Sequence, residues 1–181
     1  MRLCAALDAA FDAASDSAFD DPAFGAAVRA ALAQAVADPA LLTSAQREGA
    51  AATYRRHLLA ADPRGRYAIA SLVWMPGQAS PVHAHHTWCG YAVIDGTLTE
   101  SVYRWDDARQ CADEIRSHPR TTGAVSFAPG GRDGVHRLMN VADADTGAAA
   151  VSLHIYGVSG EQIATHVNDV VAVAPRETMA A

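Results

Sequence analysis

The hydrophobic period of the 181-residue chain changes once along its length. Up to about residue 60 it is rich in Ala, and Leu3, Leu7, Ala10, Phe11 and Ala14 fall at i, i+4, i+7, i+8 and i+11, an apolar stripe along one helix face. Asp20-Asp21-Pro22 reads as the start of a second helix, because Asp caps free amides and Pro is tolerated in the first turn. That helix is expected to reach about Ala37 and stop before Pro39. Thr43 or Ser44 is expected to cap a third helix through Ala60, weakened at Gly49. These helices should pack on the outside of a sheet.

From Tyr67 the period falls to two. Tyr67–Met75 is β-prone, and Thr97–Trp105 alternates, with Leu98, Glu100, Val102 and Arg104 opposite Thr97, Thr99, Ser101, Tyr103 and Trp105. Further strands are expected at Ala124–Ala128, Val135–Val141 and Ala148–Tyr156. Asp106–Thr122, charged and containing Cys111, reads as an irregular excursion, and Asp169–Ala174 as a strand-like piece of a tail that covers an edge or a subunit contact. Short strands between Gly- and Pro-rich turns, with no helices between them, indicate an all-β antiparallel barrel or sandwich. The length is that of one domain, and no internal repeat or low-complexity linker calls for a second.

Composition adds exclusions. Net charge is −6, the sequence has no Lys, and this mildly acidic balance argues against a nucleic-acid surface, which needs a basic stripe. Cys4, Cys89 and Cys111 are an odd number at wide spacing, neither a disulfide framework nor a zinc ribbon. Asp8 and Asp12 interrupt the apolar N-terminus, so it fails as a secretory signal, and no run reaches membrane-spanning length. A soluble cytoplasmic protein with no membrane partner, monomeric or homodimeric, is the expectation.

The chemistry concentrates in Gly77–Gly96, GQASPVHAHHTWCGYAVIDG. With turns at Gly77 and at Val93-Ile94-Asp95-Gly96, the segment reads as two short strands folded back on each other. Strand alternation then puts His83, His85, Thr87, Cys89 and Tyr91 on one face, and Ala84, His86 and Trp88 on the other. Two imidazoles on one inward face suit a metal ion.

The spacing of Gly77, His83, His85, Cys89 and Gly96 resembles the first cupin motif, with Cys89 where many cupins have a Glu ligand. Gly123, Pro129, Gly131, His136 and Asn140 resemble the second, with two more residues before the His than usual. Ser152-Leu-His154-Ile-Tyr156 and Tyr54-Arg55-Arg56 resemble signatures of the thiol dioxygenases, the cysteine dioxygenase branch of the cupins. The match covers roughly residues 50 to 160.

This resemblance implies a cupin double-stranded β-helix, with metal ligands His83, His85 and His136. Three imidazoles alone suit Zn, Fe, Ni, Cu or Mn; the resemblance selects Fe(II). It also implies O2 and a small thiol as reactants and a sulfinate as product. Arg56 corresponds to the Arg that holds the substrate carboxylate, with Arg55 the rival candidate and Tyr54 beside them. Related mercaptopropionate dioxygenases typically carry Gln there, so Arg56 favours cysteine, with 3-mercaptopropionate or mercaptosuccinate as alternatives.

Ser152, His154 and Tyr156 alternate on one strand face, Ser152 fixing the imidazole and His154 orienting the phenol. Cys89 matches the Cys that animal cysteine dioxygenases cross-link to the Tyr corresponding to Tyr156, whereas many bacterial relatives have Gly. The competing readings are an inert buried thiol for Cys89, and a metal-dependent isomerase or a small-molecule sensor for the whole chain. His57, His118 and His166 belong to no motif and read as surface or packing residues, and Asn140 as structural.

Overall fold

The apolar stripe near the N-terminus forms helix α1 (Arg2–Ala13), which buries Leu3, Leu7 and Ala10. Helix α2 (Pro22–Val36) starts as its cap chemistry dictates: the Asp21 carboxylate accepts from the Ala23 amide at 2.8 Å, and Pro22 occupies the first turn. The computed structural model describes residues 2–14, 21–143 and 147–175, so Asp20 lies outside the described residues.

The expected third helix is absent. After one short 3-10 turn at Ala45–Arg47 the chain extends into strand β1 (Arg55–Ala61). Gly49 and the pull of pairing override the helical propensity of this Ala-rich stretch, because β1 docks antiparallel on the fully buried β2 (Ala68–Trp74).

The remaining strands are β3 (His83–His85), β4 (Cys89–Asp95), β5 (Thr97–Asp106), β6 (Cys111–Thr121), β7 (Val125–Ala128), β8 (Gly131–Met139), β9 (Ala150–Tyr156) and β10 (Asn168–Val170). They form two five-stranded sheets, β1-β2-β9-β4-β7 and β10-β3-β8-β5-β6, the paired antiparallel layers of a double-stranded β-helix. Two further expectations change here. β3 and β4 do not fold back on each other but enter different sheets. The segment Asp106–Thr122 is no irregular excursion: β6 pairs with β5 from Asp106↔Cys111 to Thr97↔Thr121. Its charged residues are tolerated because β6 is an edge strand with much of its length exposed.

The outer face of the first sheet carries the helices. Gly90 is the point of closest approach, since a Cβ there would stand 2.8 Å from Val28 Cγ1. Trp88, facing away from the histidines as alternation requires, packs edge-on against Phe24 with ring centroids 5.2 Å apart. Such an aromatic pair contributes about 0.5–1.5 kcal/mol beyond area burial. Gly96, at φ 73, makes the tight turn from β4 to β5. No helix among the described residues is long and apolar enough to cross a membrane.

Candidate metal centre

The inner faces of the two sheets are set by register. In the second sheet His83 pairs with His136, while His85 pairs with Gly131, so a two-residue step on β3 answers five residues on β8. This bulge absorbs the extra residues before His136 and still turns its side chain inward. His83, His85 and His136 are 5%, 4% and 8% exposed, and their nearest ligand nitrogens all lie within 4.8 Å of one another.

Each imidazole has its Nδ1 against an acceptor: Pro81 O at 2.9 Å for His83, Val167 O at 3.3 Å for His85, and Glu100 Oε1 at 3.0 Å for His136. Carbonyl and carboxylate oxygens only accept, so each Nδ1 carries the proton and each Nε2 keeps its lone pair. His85 Nε2 and His136 Nε2 then face each other at 3.2 Å as two acceptors, an arrangement that calls for a cation between them. Two nitrogens sharing a metal at about 2.1 Å stand roughly 3.0–3.4 Å apart, so the observed spacing fits. Burial, with the neighbouring His136 second, lowers the His83 pKa to about 3, and burial drives His85 well below the imidazole range. His83 and His85 are therefore neutral near neutral pH.

Glu100 was legible only as one member of an alternating strand, with nothing to mark it as special. It reaches His136 diagonally, because β5 pairs Val102 with His136 and Glu100 lies two residues away on the same face. Burial alone would raise its pKa, but the His136 hydrogen bond, with Tyr91 and Arg120 nearby, holds the carboxyl below its usual range. Arg120 and His118 stand at 3.6 Å from its second oxygen.

In the first sheet, register decides between the two arginines. Arg56 pairs with Leu72 and points inward, whereas Arg55 pairs with Val73 and is exposed. Arg56 Nη1 donates to Ile163 O at 2.7 Å, and its buried Nε has no hydrogen-bond partner among the described residues. The tail therefore pins the arginine through Ile163. It also supplies β10, whose pairing with β3 brings Val167 O to His85.

Leu72, Ser152 and Val93 are register neighbours, as are Ala70, His154 and Tyr91, and Ala68, Tyr156 and Cys89. The polar row begins one step earlier than the sequence motif: Trp74 Nε1 donates to Ser152 Oγ at 2.8 Å, and Ser152 Oγ bonds His154 Nε2 at 2.9 Å. Between His154 and Tyr156 the contact is ring stacking, with centroids 5.6 Å apart, and His154 Nδ1 has no hydrogen-bond partner among the described residues. Burial drives the pKa of Tyr156 well above the phenol range and that of Cys89 above the thiol range, so both are protonated. Tyr54 stacks on Trp74 at 4.4 Å. Arg56, Tyr54, Trp74, His154, Tyr156 and the three histidines line one narrow cavity.

His86 is exposed, and the buried Asn140 is structural, donating from Nδ2 to Trp74 O at 2.9 Å and Ala148 O at 3.0 Å. Cys4, Cys89 and Cys111 are free thiols.

Two antiparallel sheets closing on three buried imidazoles define a metal-binding protein of the cupin class. The model of the family cysteine dioxygenase type I matches residues 49–167, and the chain belongs to that family. Among solved structures, it is similar to a protein from Thermus thermophilus, at 18% identity and TM-score 0.48 over 65% of this chain and 96% of that one. A Klebsiella pneumoniae protein with a double-stranded β-helix domain is similar at 14% identity and TM-score 0.48, over 68% and 88% of the two chains. A cupin superfamily protein from Desulfitobacterium hafniense has 13% identity and TM-score 0.45, over 62% and 84%.

Proposed function

We propose that this chain is an Fe(II)-dependent thiol dioxygenase that converts a small carboxylated thiol, with L-cysteine first, to its sulfinate. The observation that carries the reading is Arg56. Its guanidinium shares a small cavity with the three histidines and keeps a buried Nε–H without an acceptor, which a substrate carboxylate satisfies. Family membership supports the reaction class.

His83, His85 and His136 would hold the iron, which would supply the chemistry that joins thiolate and dioxygen. Both oxygen atoms end on sulfur, which is oxidised as dioxygen is reduced, so no further reductant is needed. The protein binds and orients. Arg56 takes the carboxylate, while Leu72 and Leu138 give the cavity apolar walls that limit water. Tyr156, kept protonated by burial, offers an O–H beside Arg56, whose Cζ lies 5.6 Å from the Tyr156 ring centroid. Ser152 holds His154 against that ring.

Oxygen uptake by the iron-loaded protein tests the reading, with cysteine, 3-mercaptopropionate, mercaptosuccinate and cysteamine in parallel and the product identified by mass. Uptake matched by sulfinate from cysteine is expected. A preference for one of the other two acids would move the substrate within the class. Silence with all four in iron-replete protein would remove the dioxygenase and favour a sensor, or an isomerase active without oxygen.

Cys89 and Tyr156 are directly opposite on β4 and β9, both buried, and close enough for Cys89 to raise the pKa of the phenol. We therefore expect a thioether between them after turnover. Its C–S bond replaces the thiol S–H and one aromatic C–H, with oxygen taking up the two hydrogens. Peptide mass spectrometry should find the joined pair at a deficit of two hydrogens. Unmodified Cys89 and Tyr156 peptides after many turnovers would exclude the cross-link.

A further inference from the structure

The inner faces of the sheets are open on two flanks. The cavity with Arg56 lies between β1 and β2 on one side and β3 and β10 on the other. A second cavity, about 260 Å³, opens between the opposite edge strands β6 and β7, and both cavities have His85 and His136 in their walls. The metal centre is thus approached from two sides.

The second approach is lined by a basic row that the charged composition of β6 concealed. Arg116, His118 and Arg120 pair with Val102, Glu100 and Leu98, so alternation projects all three to the inner face. Arg120 donates from Nη2 to Val125 O at 2.8 Å, but its buried Nε has no hydrogen-bond partner and stands 3.6 Å from Glu100 Oε2. Tyr91, 2% exposed, turns its hydroxyl towards Glu100 and Arg120, with no hydrogen bond of ordinary geometry among the described residues. His118 turns Nε2 towards Glu100, leaving Nδ1 unpartnered.

Arg Nε–H is an obligate donor and a Tyr hydroxyl carries a proton to give, so donors outnumber acceptors in this cluster, where Glu100 Oε2, 3.6 Å from both Arg120 Nε and His118 Nε2, is shared among them. The acids in the lining are Glu100, already engaged by His136, and Asp133, which is exposed. We propose that the β6/β7 cleft binds a small oxyanion, sulfinate or carboxylate, through Arg116, Arg120 and Tyr91, and receives the sulfinate product on the flank away from Arg56. Only the identity of the anion as product rests on the dioxygenase reading. A thiol has no oxygens on its sulfur, whereas its sulfinate has two, so oxidation itself creates the group that these donors accept.

The test is calorimetric titration of the metal-loaded full chain with methanesulfinate and, separately, acetate. Removing one charge-assisted contact by Arg120→Gln should weaken methanesulfinate binding at least about tenfold, while Arg56→Gln should leave it within about twofold. Arg116→Gln, at an exposed position, should also weaken binding and guards against a folding effect at Arg120. Tighter binding of methanesulfinate than acetate supports the product assignment, and parity supports a general oxyanion site. Binding that depends on Arg56 alone, or that neither β6 variant alters, overturns the cleft. Oxygen uptake decides the reaction separately: anion binding without turnover would keep the cleft and sink the dioxygenase, and turnover without it would do the reverse.

Discussion

Arg56→Gln is expected to lower kcat/KM for cysteine by roughly 30- to 900-fold, the equivalent of about 2–4 kcal/mol for a buried charged contact that loses one partner. The loss should be selective. Cysteamine, which has no carboxylate, should change little, and 3-mercaptopropionate should lose less than cysteine if Gln redirects the preference. Iron content should stay at the wild-type level, because Arg56 is held by Ile163 O and touches none of the acceptors that orient the histidines. Kinetics with the three thiols and metal analysis of the same samples check this. Unchanged kinetics with cysteine would remove Arg56 as the anchor. The exposed Arg55 provides the control, since Arg55→Gln should leave every value within about twofold of wild type, as surface substitutions usually do.

Glu100→Ala is expected to weaken metal binding by about 10- to 100-fold, the usual cost of losing the partner that orients a metal-bound histidine. His136 would lose the acceptor that keeps its proton on Nδ1, and Arg120 and His118 would lose the carboxylate they face. Glu100→Gln keeps an oxygen within reach of His136 and should recover part of the affinity. The measurement is competition with a chelator at fixed pH, read as the metal dissociation constant, alongside thermal unfolding of the metal-free forms. If Glu100→Ala binds metal within about twofold of wild type, the carboxylate plays no part in orienting His136. If both variants lose affinity equally and melt far below wild type, the effect belongs to folding instead.

Reading the chain alone reached the metal triad because its information is local and periodic. Strand alternation is enough to place His83 and His85 on one face, and the resemblance to the second cupin motif supplies His136 as their partner. The same logic placed Trp88 on the face away from the histidines, the α2 cap at Asp20 or Asp21 and most strand positions, all of which depend on neighbours within a few residues. Family resemblance added Arg56 and the Ser152, His154 and Tyr156 row, residues that periodicity could place on faces but not give roles.

The misreadings fell where distant pairing outweighed local preference. The Ala-rich stretch before Ala60 looks helical in isolation, yet its second half becomes β1 because β2 offers a buried partner along its length. β6 looked irregular because its charges hide the alternation, and only pairing with β5 shows which of them turn inward. β3 and β4 are adjacent in sequence but belong to different sheets, a choice made by β8 and β9 rather than by the turn between them.

What the sequence by itself determined about this protein is therefore its strand alternation, its helix signals and the metal-ligating residue types at their spacings. Those depend on backbone geometry that any segment carries with it. The tertiary structure alone decided that Arg56 rather than Arg55 faces the histidines, that Glu100 and Val167 O hold two of them, and that a basic row flanks the centre. Each of these rests on register between strands far apart in the chain, where a shift of one residue would turn every side chain to the other face.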